Sequence, residues 1–319
     1  MKTAPLGSVL LALVTASSAS AVAIDWTYVG DPGNACDTQT QRCFGAVDYS
    51  YYIGTYEVTN AQYAAFLNSV AAADPYALYN PNMSDPSGNH SGGITRSGVS
   101  GSYTYDLIAG REDLPVGWVS WYDAARFVNW MNNGQGSGDT ETGAYPLLGG
   151  TPTPSNGLDV VRSSAATIAL PTEDEWYKAA YYNALSQSYF DYPAASNTQI
   201  VCSAPGATPN TANCDGVDFT DVGSYTGSAS PYGTFDQGGN INEWNEAVFT
   251  GISGRGVRGG GIGSHATSLA ASFRSGAPAI NEVPFLGFRI VMVEPIPEPG
   301  TGLLVIAGLL GLAGWRRSH

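Results

Sequence analysis

The chain has 319 residues, enough for one large domain or two ordinary ones. At 43% hydrophobic and 13% charged, it can build a substantial core but has few ionic surface groups. Its net charge of −14 at pH 7 opposes binding to nucleic-acid phosphates and anionic membranes and favours cations. Its three histidines, His90, His265 and His319, exclude a three-histidine metal centre from the body of the protein, because the last lies in the tail.

In chain order, Lys2 precedes the short apolar stretch PLGSVLLALVTASS. Ala19-Ser20-Ala21 and Ala21-Val22-Ala23 then fit the small-x-small rule of signal peptidase. Residues 1–23 therefore read as an export signal. Export implies an oxidising compartment, so disulfides are expected for Cys36, Cys43, Cys202 and Cys214. The local pairs, 36 with 43 and 202 with 214, are the simplest of three connectivities. A strand-like piece covers 47–58. Thr59 and Gln62 then form a capping box, and Tyr63, Phe66, Leu67 and Val70 recur at helical spacing. Residues 80–113 are rich in Gly, Ser, Asn and Thr and read as a long loop. Ser120 caps a second helix with Asp123 in its first turn, an apolar stripe of Ala124, Phe127, Val128 and Met131, and a stop at Gly134. Residues 134–165 read as another loop. Thr172 and Glu175 make a second capping box, with Trp176, Ala179 and Ala180 facing inward.

Further along, 257–260 and 288–294 read as strands. Gly254-x-Gly256-x-x-Gly259 spells a dinucleotide-binding loop, but such a loop must open a helix, and Gly260, Gly261 and Gly263 oppose one. In a chain with so few basic groups, Arg258, Arg274 and Arg289 are expected to pair with buried carboxylates such as Glu57, Glu173, Glu175 or Glu243. His265 has no evident orienting partner and reads as a surface residue. With three helices, short strands and long turns, 24–294 is expected to be one α+β domain rich in irregular structure. Beyond it, 295–319 combines Pro297-Glu298-Pro299, an apolar helix over 300–315, and Arg316 and Arg317. This tail resembles a PEP-CTERM sorting signal. The resemblance implies processing by an exosortase and delivery to the envelope or matrix; otherwise the helix remains as the sole membrane anchor.

The order of the internal motifs identifies a family. YYIGTYEVTNAQYAAFLN, LPVGWVSWYDAARFVNWMN, LPTEDEWYKAAYYN, YGTFDQGGNINEWNEA, VRGGGIG and FLGFRIV follow one another over 51–293. Together they resemble the formylglycine-generating enzymes, or sulfatase-modifying factor domains. That resemblance implies a variant of the C-type lectin fold. In the family's oxidases, two cysteines after the Arg-Gly-Gly motif bind copper and use oxygen to convert a substrate cysteine to formylglycine. Here Arg258, Gly259 and Gly260 are present, but Ser264 and Leu269 stand where the cysteines would be, so copper is not expected. The resemblance also implies calcium on the side chains of Asp236 and Glu243 and the backbone carbonyls of Gly239 and Ile241, beside Trp244, with a second site at Asn213, the Cys214 carbonyl and Asp215. The expected role is a surface-sorted binding or structural module that meets exopolysaccharide or an envelope protein. The alternative is an oxidoreductase acting on a protein cysteine through an altered site.

Overall fold

The computed structural model describes residues 21–87, 92–216 and 218–293. The expected signal segment up to residue 20, His90 and the sorting tail lie outside the described residues. Each helix begins at a side chain that accepts from an otherwise unpaired N–H. Thr59 Oγ1 accepts from Gln62 N ahead of α1 (Asn60–Val70), and Gln62 Oε1 accepts from Thr59 N in return. Ser120 and Asp123 do the same for α2 (Trp121–Asn132), and Thr172 and Glu175 for α3 (Glu173–Tyr181).

The apolar stripe of α2 is buried, but so are Asp123, Arg126 and Asn129. The segment after the helix encloses it: Arg126 Nε donates to Glu141 Oε1 at 2.6 Å, and Asn129 Nδ2 donates to the carbonyls of Thr140 and Tyr145. Aromatic rings from α1 and α2 interlock with Phe288, whose ring centroid lies 5.4 Å from that of Phe127.

One four-stranded antiparallel sheet runs in the order Trp26–Val29, Tyr51–Gly54, Val291–Met292, Ile168–Ala169, so the two ends of the domain pair across Tyr51–Gly54. A second has the order Ser275–Pro278, Gly254–Arg258, Asn242–Phe249, Leu286–Gly287, with the last pair parallel. The expected strands at 47–58, 257–260 and 288–294 thus shrink or shift. The 80–113 loop contains a hairpin, Ile94–Ser97 with Thr104–Leu107. Asn242–Phe249, the longest strand, was not foreseen, because the polar residues Glu243 and Asn245 occupy its buried face.

Gly254 and Gly256 lie inside a strand rather than in a phosphate loop. A Cβ at Gly256 would meet Asn245 Oδ1 at 2.1 Å, and one at Gly254 the Ala277 carbonyl at 2.3 Å. Both local disulfides form, Cys36–Cys43 and Cys202–Cys214. Among the described residues, no helix is long and apolar enough to cross a membrane.

Candidate functional site

After the Gly254–Arg258 strand the chain turns through Gly259 (φ 93°) and Gly260 (φ 69°), both in left-handed conformations that glycine adopts without strain. The turn is close-packed: a Cβ on Gly260 would lie 2.9 Å from Leu269 Cδ1. Arginines pin both sides of it. Arg258 Nε donates to Glu173 Oε1 at 3.0 Å and its Nη1 to the carbonyls of Ala271 and Phe273, while Arg274 Nη2 donates to Glu173 Oε2 at 2.7 Å. Burial alone would raise the pKa of Glu173, but Arg274, Arg258 and Arg42 outweigh it and hold the carboxyl below its ordinary range.

Within this frame, Ser264 Oγ accepts from Gly261 N at 3.0 Å and so closes the turn. Leu269 is fully buried and packs with Ile200, Ala212, Cys214 and Ala266, and Cys202 lies against the same cluster. A cleft of about 370 Å³ opens beside it, lined among others by Cys202, Ser203, Cys214, Asp215, Phe219 and Tyr225. Two backbone bonds join the 213–216 segment to the Arg-Gly-Gly loop, Asp215 N to the Ser264 carbonyl and Gly216 N to that of Ile262. His265 is exposed, as expected. It nonetheless has an orienting partner, since its Nδ1 lies 2.7 Å from Asp215 Oδ1. The pairing was not evident in the sequence, where fifty positions separate the two residues.

The two carboxylates of the expected calcium set have partners within the protein. Asp236, with φ 59°, accepts from Gly223 N at 2.6 Å, and burial raises its pKa to about 6. Both oxygens of the fully buried Glu243 are engaged: Oε1 accepts from Arg289 Nη2 at 2.7 Å, and Oε2 from Arg289 Nε at 2.6 Å and Trp176 Nε1 at 2.7 Å. Arg289 is therefore the counter-ion of Glu243. Gly239 N donates to the Gly259 carbonyl, the Ile241 side chain packs with Phe219 and Ile262, and Trp244 Nε1 donates to the Val119 carbonyl. In the second group, the Asn213 carbonyl accepts from Asn240 N and its Nδ2 donates to the Asp218 carbonyl, while Asp215 faces His265. Among the described residues, no three His, Cys, Asp or Glu side chains converge as metal ligands.

Residues 39–293 match the model of the sulfatase-modifying factor enzyme 1-like domain. Among solved structures, CarF is similar with a TM-score of 0.58 at 20% identity, covering 85% of this chain and 99% of its own. Treponema denticola variable protein 1 is similar with a TM-score of 0.50 at 18% identity, covering 86% of this chain and 97% of its own. No curated protein sequence matches the chain significantly. At such identities the likeness concerns the fold, which is the α+β, C-type lectin-like architecture.

Proposed function

From the premise that this chain belongs to the sulfatase-modifying factor enzyme 1-like family, we propose that it is an exported binding or structural module rather than a copper oxidase. One observation carries the reading. The two positions where the oxidases of this family need sulfur hold a hydroxyl that closes a turn and a fully buried leucine, and all four cysteines are joined in disulfides. A copper thiolate site requires soft, ionised sulfur, and the residues present do not fit it. The fold keeps the arginine frame of the segment without its sulfur, and the cleft beside it is a surface for contact. The proposed setting is the cell envelope or the exopolysaccharide matrix, reached through signal peptidase and exosortase.

The test uses the mature protein purified without reductant. Thiol titration should find no free sulfhydryl, and Cu(I) competition should find no tight equivalent. A cysteine-containing peptide should cause no oxygen consumption. One tightly bound Cu(I), or oxygen uptake with the peptide, overturns the reading. The oxidoreductase alternative draws support from one feature: Cys202 and Cys214 line the cleft beside Leu269. It predicts that gentle reduction creates a Cu(I) site that Cys202→Ser abolishes.

A further inference from the structure

From Val22 onward the chain is fastened to the domain residue by residue. Val22 N donates to Gln135 Oε1 at 2.6 Å, and Gln135 Nε2 donates back to the Val22 carbonyl at 2.9 Å. The Ala23 carbonyl accepts from Gln62 Nε2 at 3.0 Å. The side chains of Val22 and Ile24 pack against the main core, and the Asp25 carbonyl accepts from Thr55 N at 2.8 Å. Trp26 then opens the strand that pairs with Tyr51–Gly54. Ala21, by contrast, is exposed.

Gln135 stands just past the end of α2. Its φ of 61° lies in the left-handed region, which is uncommon for a residue with a side chain. Its N–H donates to the Trp130 carbonyl at 2.9 Å, which holds the backbone there, and its side chain meets Val22 across 113 positions. A primary amide presents an acceptor and donors side by side, the complement of one residue's N–H and C=O.

The sequence offers signal peptidase two cuts, after Ala21 and after Ala23, because both follow small-x-small triplets. The later cut discards Val22 and Ala23, and with them three hydrogen bonds and a side chain packed on the core. We infer that the cut falls between Ala21 and Val22 and that Gln135 is the seat of the new N-terminus. The inference rests on the export reading and ends the signal at 21 rather than 23. Water adds to the Ala21 carbonyl carbon and the Ala21–Val22 C–N bond breaks. Ala21 leaves with a carboxylate, and Val22 N takes up a proton and becomes an ammonium. The nitrogen that donates to Gln135 Oε1 as an amide then donates as a cation, and such charge-assisted bonds are roughly twice as strong as neutral ones. Its remaining protons reach water, because the Ala21 side is exposed.

The experiment expresses the full chain with its own signal in a Gram-negative host and sequences the protein recovered from the envelope from its N-terminus. Val-Ala-Ile-Asp is the expected start. Ile-Asp-Trp, or any other processed start, overturns the inference and leaves export standing, whereas a chain that keeps Met1 overturns export as well. Ala23→Glu spoils the later cut alone and should leave the Val22 terminus unchanged; loss of processing in this variant overturns the inference. Thermal unfolding tests the seat itself. A chain lacking Val22 and Ala23, cut after the same Ala21, should melt about 2–4 °C lower than the mature protein. Gln135→Ala should lower Tm by about as much in the chain that begins at Val22, and by less than about 1 °C in the shortened chain. An equal loss in both chains, or no loss in either, overturns the docking of the terminus on Gln135.

Discussion

Glu173 and Glu57 are both buried glutamates, 3% and 2% exposed, yet their surroundings differ in one countable respect. Glu173 receives N–H donors from Arg258, Arg274 and Arg42. Glu57 receives a single amide donor, and its nearest arginine is fully engaged elsewhere. The Glu173 carboxyl is held below its ordinary range, while burial, with Asp236 adding to it, pushes that of Glu57 well above. Burial disfavours the charged form of each. The number of protons aimed at the oxygens decides whether a buried carboxylate becomes a structural anchor or an unsatisfied group.

The sharpest way to break this comparison is to remove the anchor. Glu173→Gln strands buried guanidiniums without a counter-ion and should cost about 3–5 kcal/mol in urea unfolding. A loss below about 1 kcal/mol would show that donor number is not what matters at Glu173. Next in size is the double change Cys202→Ser with Cys214→Ser. It releases a link across 12 positions that packs against Leu269, and should cost about 2–4 kcal/mol by the same measurement.

Asp123 extends the comparison to pH. It caps α2, but burial, with Glu282 adding to it, raises its pKa from 3.8 to about 7. A carboxyl raised in the native state keeps its proton there after the unfolded chain has lost it. Its contribution to stability therefore declines as pH rises from about 4 to about 7 and is flat above. Asp123→Asn keeps an oxygen for Ser120 N and removes this slope. The variant should match wild type at pH 4 and exceed it at pH 8 by up to about 4 kcal/mol, seen as a higher Tm. Glu173 has the opposite sign: its depressed pKa stabilises above the unfolded value of 4.5 and is lost on acidification. Smallest of all is Arg42→Ala. It removes one of the same three guanidiniums, but the side chain is 42% exposed and should matter by less than about 1 kcal/mol.

The elements legible from the sequence were those whose partners are close along it. Thr59 with Gln62, Ser120 with Asp123, and Thr172 with Glu175 each fit within one turn, and all three boxes form. The local disulfides are closed over 7 and 12 positions. Asn242–Phe249 was missed because its pattern mixes charge and amide with Trp and Ala, and nothing local shows that an arginine 46 positions away will neutralise Glu243. The same distance hides that both oxygens of Glu243 accept from Arg289.

By itself the sequence determined the helices, their caps, the family and the absence of sulfur at Ser264 and Leu269. These depend on residue identity and short-range geometry, which a linear string contains. Only the tertiary structure decided which carboxylates the arginines satisfy, that His265 meets Asp215, and that Glu57 is left with an open oxygen. A guanidinium has a fixed number of donors in fixed directions, and which acceptors they reach is settled only when distant segments are packed together.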